Sequence, residues 1–300
     1  MSVGELTNSP AVSPAPAPPP GEPDPVGRRA PRRAAWSPVA WTAGAVLAVV
    51  AFWEVAKAVF GVSDTTMPHL WSVLVAFGDT LPNGDIRAVS ILRALTVTMQ
   101  EAAAGLGVGI VIGVVMGVVS AKSRFAAFTL TPVLVATQTL PLVAIVPALV
   151  IILGDGWLSL ALIAAILAFF PIYVAVARAI TDTGRDQREL FHSCGLSRLK
   201  VFTGLELPRA TLALVGTVRT ATALAVVGAI VAELPSGRPS GISMTLLSAA
   251  SYYLTDPEAL WCAAVAAMAG GVALVYLMSA LVSAAARLAL RIPPEPKGAR

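Results

Sequence analysis

Residues 259–286 form a run of 28 residues without a single charged side chain. About 20 apolar residues are enough for an α-helix to cross the hydrocarbon core of a bilayer. Only 13% of the 300 residues are charged and 56% are hydrophobic, whereas soluble domains carry about 25% charged residues. So few charges cannot cover a water-facing surface. The sequence therefore excludes a soluble globular protein and predicts an all-α polytopic membrane protein.

Hydrophobic runs along the chain predict six transmembrane helices. The run from 125 to 154 is interrupted by three prolines, and we treat it as one long or broken span. The stretch 86–100 is amphipathic and leads into the second span, and 234–258 is predicted to be a long outer loop. The predicted spans are 39–60, 102–120, 125–154, 157–177, 210–232 and 259–287.

The two ends of the chain differ from the rest in composition. Residues 1–37 contain eight prolines between Pro10 and Pro25, and such a segment buries too little apolar surface to offset the entropy of ordering it. We predict a disordered cytosolic tail at 1–37, a transmembrane domain at 38–290 and a short cytosolic tail at 291–300. A basic cluster just before the first span is typical of an uncleaved membrane anchor.

Basic residues are distributed unevenly between the two sides of the predicted bundle. With the N-terminus inside, 16 of the 21 Lys and Arg residues fall in the two tails and in the inner loops 121–124 and 178–209. Cytoplasmic loops of membrane proteins are enriched in Lys and Arg. We therefore expect both termini on the cytoplasmic side.

Catalytic signatures are missing from the sequence. It contains no P-loop, no HExxH and no GxSxG motif. Its two cysteines and two histidines are too few for a disulfide framework, a cysteine-based zinc site or a histidine metal cluster. We expect neither catalysis nor a bound metal.

Four glycines recur at every fourth position of the second predicted span, at Gly105, Gly109, Gly113 and Gly117. This spacing places them on one helical face, where the backbone of another helix can approach closely. The face either packs inside one subunit or forms a seam between two copies. We favour the first interpretation, because faces of small residues are common inside helical bundles.

Three polar residues lie within the predicted spans or at the end of one of them. Gln138 precedes a proline in the third span, where a break either is a simple kink or marks a substrate path. Arg219 lies inside the fifth span and Glu233 at its outer end. A charge at such a depth needs a partner or water. Arg219 either lines a path for an anion or pairs inside the bundle, and we take all three residues as candidates for a translocation path.

The inner loop at 182–209 is the most informative segment of the chain. Gly195 divides it into two short amphipathic pieces, and Leu207 and Pro208 open the next span, where proline suits a first helical turn. A chain that only had to thread the membrane would use a short turn here. We predict a cytosolic helix–glycine–helix unit that docks a partner. Its apolar residues include Leu190, Phe191, Leu196, Leu199 and Phe202.

This loop resembles the cytosolic signature of bacterial ABC importer permeases, which reads E-A-A, three residues, then G, and ends in L-P. The spacing of six from Glu189 to Gly195 fits, whereas Leu190 and Phe191 stand where the family has two alanines. The resemblance covers about residues 39–290. It assigns an ATPase-coupling loop to Glu189, Leu190, Phe191, Gly195, Leu196, Leu207 and Pro208.

The resemblance implies a type I ABC importer permease fold in the bacterial plasma membrane, without a cofactor, and a homodimer around a central path. Each copy is then expected to dock a cytosolic ABC ATPase, and an extracytoplasmic solute-binding protein is expected to deliver the substrate. The stretches 170–173 and 231–233 look like those of permeases for nitrate, sulfonates, taurine and pyrimidine precursors. The expected substrate is therefore a small anion or a pyrimidine-type compound.

An ion-coupled secondary transporter is the alternative function. Such a protein is expected to carry paired carboxylates inside the membrane or inverted repeats of its helices. The six predicted spans contain neither feature, so the sequence favours the importer permease.

Cysteine accessibility labelling tests the predicted topology. A cysteine introduced as Asp155→Cys should react with a membrane-impermeant reagent from outside, because the turn at 154–156 is predicted to be external. Cys194 should react only after the membrane is permeabilised. The opposite pattern would overturn both the topology and the cytosolic position of the loop at 182–209.

Overall fold

The structure, a computed structural model, describes residues 38–139 and 142–290. The predicted tails at 1–37 and 291–300 lie outside the described residues. Within those that are described, the elements are helices, which confirms the all-α class.

The chain divides into two units, with the boundary between Phe52 and Trp53. The described part of the first unit is the beginning of one helix, and the second unit contains the helix bundle. The helices are α1 (Pro38–Phe60), α2 (Leu70–Ala76), α3 (Arg87–Lys122), α4 (Arg124–Thr139), α5 (Leu142–Leu153), α6 (Trp157–Thr181), α7 (Arg185–Ser193), α8 (Arg198–Val201), α9 (Leu207–Ser236), α10 (Ile242–Ser251) and α11 (Pro257–Leu290).

The predicted spans correspond to α1, α3, the pair α4 and α5, α6, α9 and α11. In the described part of the chain, four helical stretches are long and apolar enough to cross a membrane by themselves. The third predicted span is divided, and neither α4 nor α5 reaches the roughly 20 residues that span a bilayer. The four long stretches are Arg87–Lys122, Trp157–Thr181, Arg198–Ser236 and Pro257–Leu290.

Two segments predicted to lie in outer loops belong to helices. The amphipathic stretch 86–100 is continuous with the second span, because α3 already begins at Arg87. The predicted loop at 234–258 contains α10, a ten-residue apolar helix whose first residue, Ile242, is buried. A turn of the chain at Gly237, which has a φ of 65°, separates α10 from α9.

The glycine face of α3 packs against α6 inside the subunit. A Cβ added at Gly105 would lie 2.6 Å from the carbonyl oxygen of Ala161, and one at Gly113 would lie 2.7 Å from that of Phe169. Real Cβ atoms do not approach backbone atoms so closely, so these positions need glycine. The structure therefore favours packing within one subunit over a seam between copies, because the glycine face is already covered.

The third helix of the core is α9, which packs against the same region of α6 through small residues. A Cβ added at Gly228 would lie 2.8 Å from the Cα of Ala164. Ala221, Ala225 and Ala229 of α9 are fully buried in the same core. Close approach of three backbones thus holds α3, α6 and α9 together, and α11 packs on α9.

Gly105→Ala and Gly107→Ala form a matched pair that tests this packing. Gly105→Ala should destabilise the protein by roughly 1–3 kcal/mol, because the methyl group overpacks the contact with α6. Gly107 lies on the other face of α3, with open space around the added Cβ. Gly107→Ala should be neutral or stabilising by up to about 1 kcal/mol, since alanine favours helix over glycine.

The measurement is thermal unfolding of both variants in the same detergent. Equal melting temperatures for the two variants would contradict the assignment of the glycine face to the α3–α6 contact.

Candidate functional site

The predicted helix–glycine–helix unit is present between α6 and α9. It consists of α7, a turn at Gly195, α8 and one π-helical turn, Phe202–Glu206, that runs directly into α9. Gly195 has a φ of 72°, in the left-handed region that favours glycine. Pro208 lies in the first turn of α9, as the sequence predicted.

Hydrogen bonds around Gly195 fix the angle between α7 and α8. The Leu196 amide donates to the carbonyl of Phe191 at 3.3 Å, which is the closing bond of a Schellman motif with glycine in the left-handed position. The Ser197 hydroxyl then accepts from the amide of Lys200 and caps α8. The turn is therefore defined by the chain itself, without a partner.

Apolar side chains are left exposed on this unit. Leu190 on α7 is 63% exposed and Leu199 on α8 is 71% exposed. Phe191 is half-buried and faces Gly204 of the π-helical turn. Glu189 is exposed next to Leu190, and the side chain of Leu196 is half-buried. We call the exposed side chains of Leu190 and Leu199 together the docking surface.

Two polar contacts attach the unit to the bundle. Glu206, only 2% exposed, forms an ion pair with Lys122 at the end of α3, and the same ammonium lies 5.1 Å from the centroid of the Phe202 ring. Arg209 at the start of α9 donates to the Gln187 side chain of α7 at 2.9 Å. Sequence reasoning missed Glu206 and Lys122. A lone glutamate beside a predicted span would have been the signal, because it needs a cationic partner.

Arg219 lies on α9 beside α11. Its Nε donates to the Ser279 hydroxyl at 3.2 Å. The guanidinium borders a largely apolar groove of about 630 Å³ whose walls come from both helices. The arginine therefore has a partner in the bundle and also faces open space. The backbone of Gln138 lies in α4, but its side chain and Pro141 are outside the described residues.

Glu233 lies inside the subunit, 1% exposed, and is held by donors from two other elements. The Thr98 hydroxyl of α3 donates to its Oε1, and the amide of Ser243 donates to its Oε2 at 3.0 Å. Thr98 in turn accepts from the amide of Ile242 at 3.0 Å. Glu233 thus ties the end of α9 to α3 and to the first turn of α10.

Glu101 of α3 lies against Glu233, so the chain does contain a pair of carboxyl groups between two membrane helices. The expectation that such a pair is absent was wrong. The predicted second span began at residue 102, which left Glu101 outside it, whereas α3 begins at Arg87. Arg238 reaches this pair, with 3.8 Å between its Nη1 and the Oε1 of Glu101.

The structure does not bring the predicted path residues together. Arg219 bonds to α11, whereas Glu233 bonds to α3 and α10. Over the described ranges, no group of three or more His, Cys, Asp or Glu side chains is arranged to hold a metal ion.

Comparison with known proteins identifies the family. The family described as binding-protein-dependent transport system inner membrane component matches residues 109–291. The match runs from within α3 to the end of α11, so it includes the docking surface and the whole of α9.

Curated relatives are named as transport permeases. The chain is 32% identical over 193 residues to the riboflavin transport system permease protein RibX of Chloroflexus aurantiacus, over 64% of this chain and 70% of that protein. It is 30% identical over 139 residues to the formylaminopyrimidine transport permease protein ThiX of Halalkalibacterium halodurans, over 46% and 56%. It is 29% identical over 208 residues to the putative aliphatic sulfonates transport permease protein SsuC of Escherichia coli, over 69% and 77%.

The family match covers more than half of the chain, and these relatives are transport permeases rather than enzymes. The chain belongs to the binding-protein-dependent transport system inner membrane component family and is a membrane-embedded permease of the ABC transporter type.

Proposed function

We propose that this permease forms the translocation path of an ATP-driven importer and couples that path to a cytosolic ABC ATPase through the docking surface. One observation carries the proposal most directly. The chain builds a self-defined helix–glycine–helix unit between two membrane helices and leaves Leu190 and Leu199 exposed on it. The chain itself fixes the shape of this unit but does not cover its exposed leucines. Exposed apolar side chains on such a unit favour binding of a protein partner.

The connections of the helix–glycine–helix unit at 185–206, called the docking unit from here on, support a role in coupling. The π-helical turn joins it to α9 without a break, and the pair of Glu206 and Lys122 joins it to α3. A displacement of α7 and α8 by an ATPase is therefore passed to two of the three core helices. ATP binding and hydrolysis belong to the partner, and this chain converts the motion into alternating access.

The remaining partners follow from the same proposal. An extracytoplasmic solute-binding protein delivers the substrate, and a second copy of the permease completes the path in the plasma membrane. Both termini are cytoplasmic, in agreement with the distribution of basic residues.

The substrate we propose is a small solute, either a nitrogen heterocycle of the pyrimidine type or a small anion such as a sulfonate. Relatives named for riboflavin, a formylaminopyrimidine and aliphatic sulfonates support these two classes. A thermal-shift screen of the cognate solute-binding protein across both classes, with nitrate and taurine included, distinguishes them.

An ion-coupled carrier is not supported, although Glu101 and Glu233 form the kind of pair that it predicts. Family membership assigns the chain to ABC transport systems. An ion-coupled carrier also does not bind an ATPase, so it would not need a cytosolic docking unit with exposed leucines.

Leu190→Asp tests the docking surface. Loss of a buried leucine contact and burial of a charge should weaken ATPase binding by about 2 kcal/mol or more, roughly 30-fold in affinity. Since Leu190 is exposed in the permease alone, the fold should survive. The measurement is the amount of ATPase that co-purifies with the permease, together with solute uptake in cells.

The matched control is Leu254→Asp, which makes the same change at a residue that is 86% exposed in the connection between α10 and α11. This variant should retain the ATPase. Equal retention of the ATPase by both variants would contradict the docking assignment.

Arg219→Gln and Ser279→Ala separate a role of Arg219 in the path from a role in packing. If its charge acts on an anionic solute, Arg219→Gln should reduce uptake per assembled complex, and Arg219→Lys should keep part of it. Ser279→Ala removes the hydrogen bond but keeps the charge, so uptake should stay near that of the unmodified protein.

The readouts are uptake and the melting temperature of the purified complex. Equal destabilisation by Arg219→Gln and Ser279→Ala, with normal uptake per complex, would remove Arg219 from the path.

A further inference from the structure

The carboxyl groups of Glu101 and Glu233 meet in a closed part of the subunit. Each residue is only 1% exposed. Thr98, which lies one helical turn before Glu101 on α3, donates to Glu233, so the two acids are neighbours across the contact between α3 and α9. Gly241 closes the cluster on one side, because a Cβ at this position would overlap the carboxyl group of Glu233.

The hydrogen-bond donors within bonding distance of the pair are too few for two carboxylates. Glu233 accepts on both oxygens, from Thr98 and from the amide of Ser243. Nη1 of Arg238 lies 3.8 Å from Oε1 of Glu101, too far for a hydrogen bond. Within the described residues, this buried nitrogen therefore has no acceptor, and the buried Oε2 of Glu101 has no donor. Two ionised carboxyl groups are both acceptors and cannot bond to each other. A buried acceptor without a donor is costly, so something must join the two groups.

The charges around the pair also indicate that two ionised carboxyl groups are not balanced in this site. Two carboxylates and the guanidinium of Arg238 sum to one negative charge. The neighbouring elements supply no further full positive charge. The first turn of α10 contributes only the partial charge of a helix N-terminus at Ser243 and contains no ionisable residue, and Arg87 of α3 is already paired with Asp256. An uncompensated charge in such a site is strongly unfavourable.

We propose that Glu101 and Glu233 form a binding site for one proton, which makes the cluster neutral and supplies the missing hydrogen bond. The bound proton links α3 to the end of α9. Through Thr98 and Ser243 it also holds the first turn of α10 in place. The site lies at the opposite end of α9 from the docking surface and is separate from the function proposed for that surface.

Infrared spectroscopy of the intact permease in lipid nanodiscs tests the site. At neutral pH the spectrum should contain the C=O stretch of a protonated carboxylic acid, and the band should disappear as the pH is raised. Glu101→Gln and Glu233→Gln should each remove it. Glu258→Gln, which changes a partly exposed acid in the first turn of α11, should leave the band unchanged. A neutral-pH spectrum of the unmodified permease without an acid band would overturn the proposal.

Thermal unfolding provides a second readout. Raising the pH above neutral removes the shared proton and places two negative charges side by side, so the melting temperature of the unmodified permease should fall. Glu101→Gln should be nearly independent of pH over the same range, because the glutamine amide donates the hydrogen bond that the proton supplied. A parallel fall in both proteins would overturn the proposal.

A monovalent metal ion is the competing occupant of the site. It would produce no acid band, and exchanging sodium chloride for choline chloride would lower the melting temperature at neutral pH. These two results together would show that a metal ion, not a proton, occupies the site, and they would refute the proposal. If both glutamine variants fail to fold, the disappearance of the band with rising pH in the unmodified permease still decides between the two occupants.

Discussion

The close approach of α3 and α6 along their faces of small residues is the contact on which the rest of the bundle depends. Lipid tails are as apolar as leucine, so membrane helices associate through packing and hydrogen bonds rather than through the hydrophobic effect. Glycines on α3 let the two backbones come together, and this brings hydroxyl groups into reach. The Tyr173 hydroxyl of α6 lies 3.1 Å from Ser120 of α3 and 3.0 Å from Thr131 of α4.

Polar contacts join α3 to the two ends of the stretch made of the π-helical turn and α9. At one end Lys122 pairs with Glu206, and at the other Thr98 donates to Glu233. On α3, Glu101 and Lys122 are 21 residues apart, which is about 32 Å along a helix. This matches a hydrocarbon core of about 30 Å. The two groups of charged side chains are thus separated by about the thickness of the apolar layer, and between them the helices touch through small apolar residues.

Local features of the chain were predictable, whereas contacts between distant segments were not. Apolar length indicated the long helices, and Gly195 between two amphipathic pieces indicated the docking unit. The pair of Glu101 and Glu233 could not be predicted, because the two residues are far apart in the chain and a hydropathy pattern ends a span at its first charge. The proline and glycine residues around α10 suggested a loop, and a ten-residue apolar stretch carries too little periodicity to indicate otherwise. The partners of Glu206 and Arg219 likewise depend on how the helices pack.

The stretch from Arg198 to Ser236 is helical over 39 residues, including the π-helical turn. At 1.5 Å per residue it is a rod about 58 Å long. If the whole helix is tilted by about 5° about one of its ends, the other end moves by about 5 Å, which is close to the rise of one helical turn. Under the coupling proposed above, a small rotation imposed at α8 would become a displacement large enough to open or close a solute-sized gap at the other end. The size of that displacement would be set by the length of the helix.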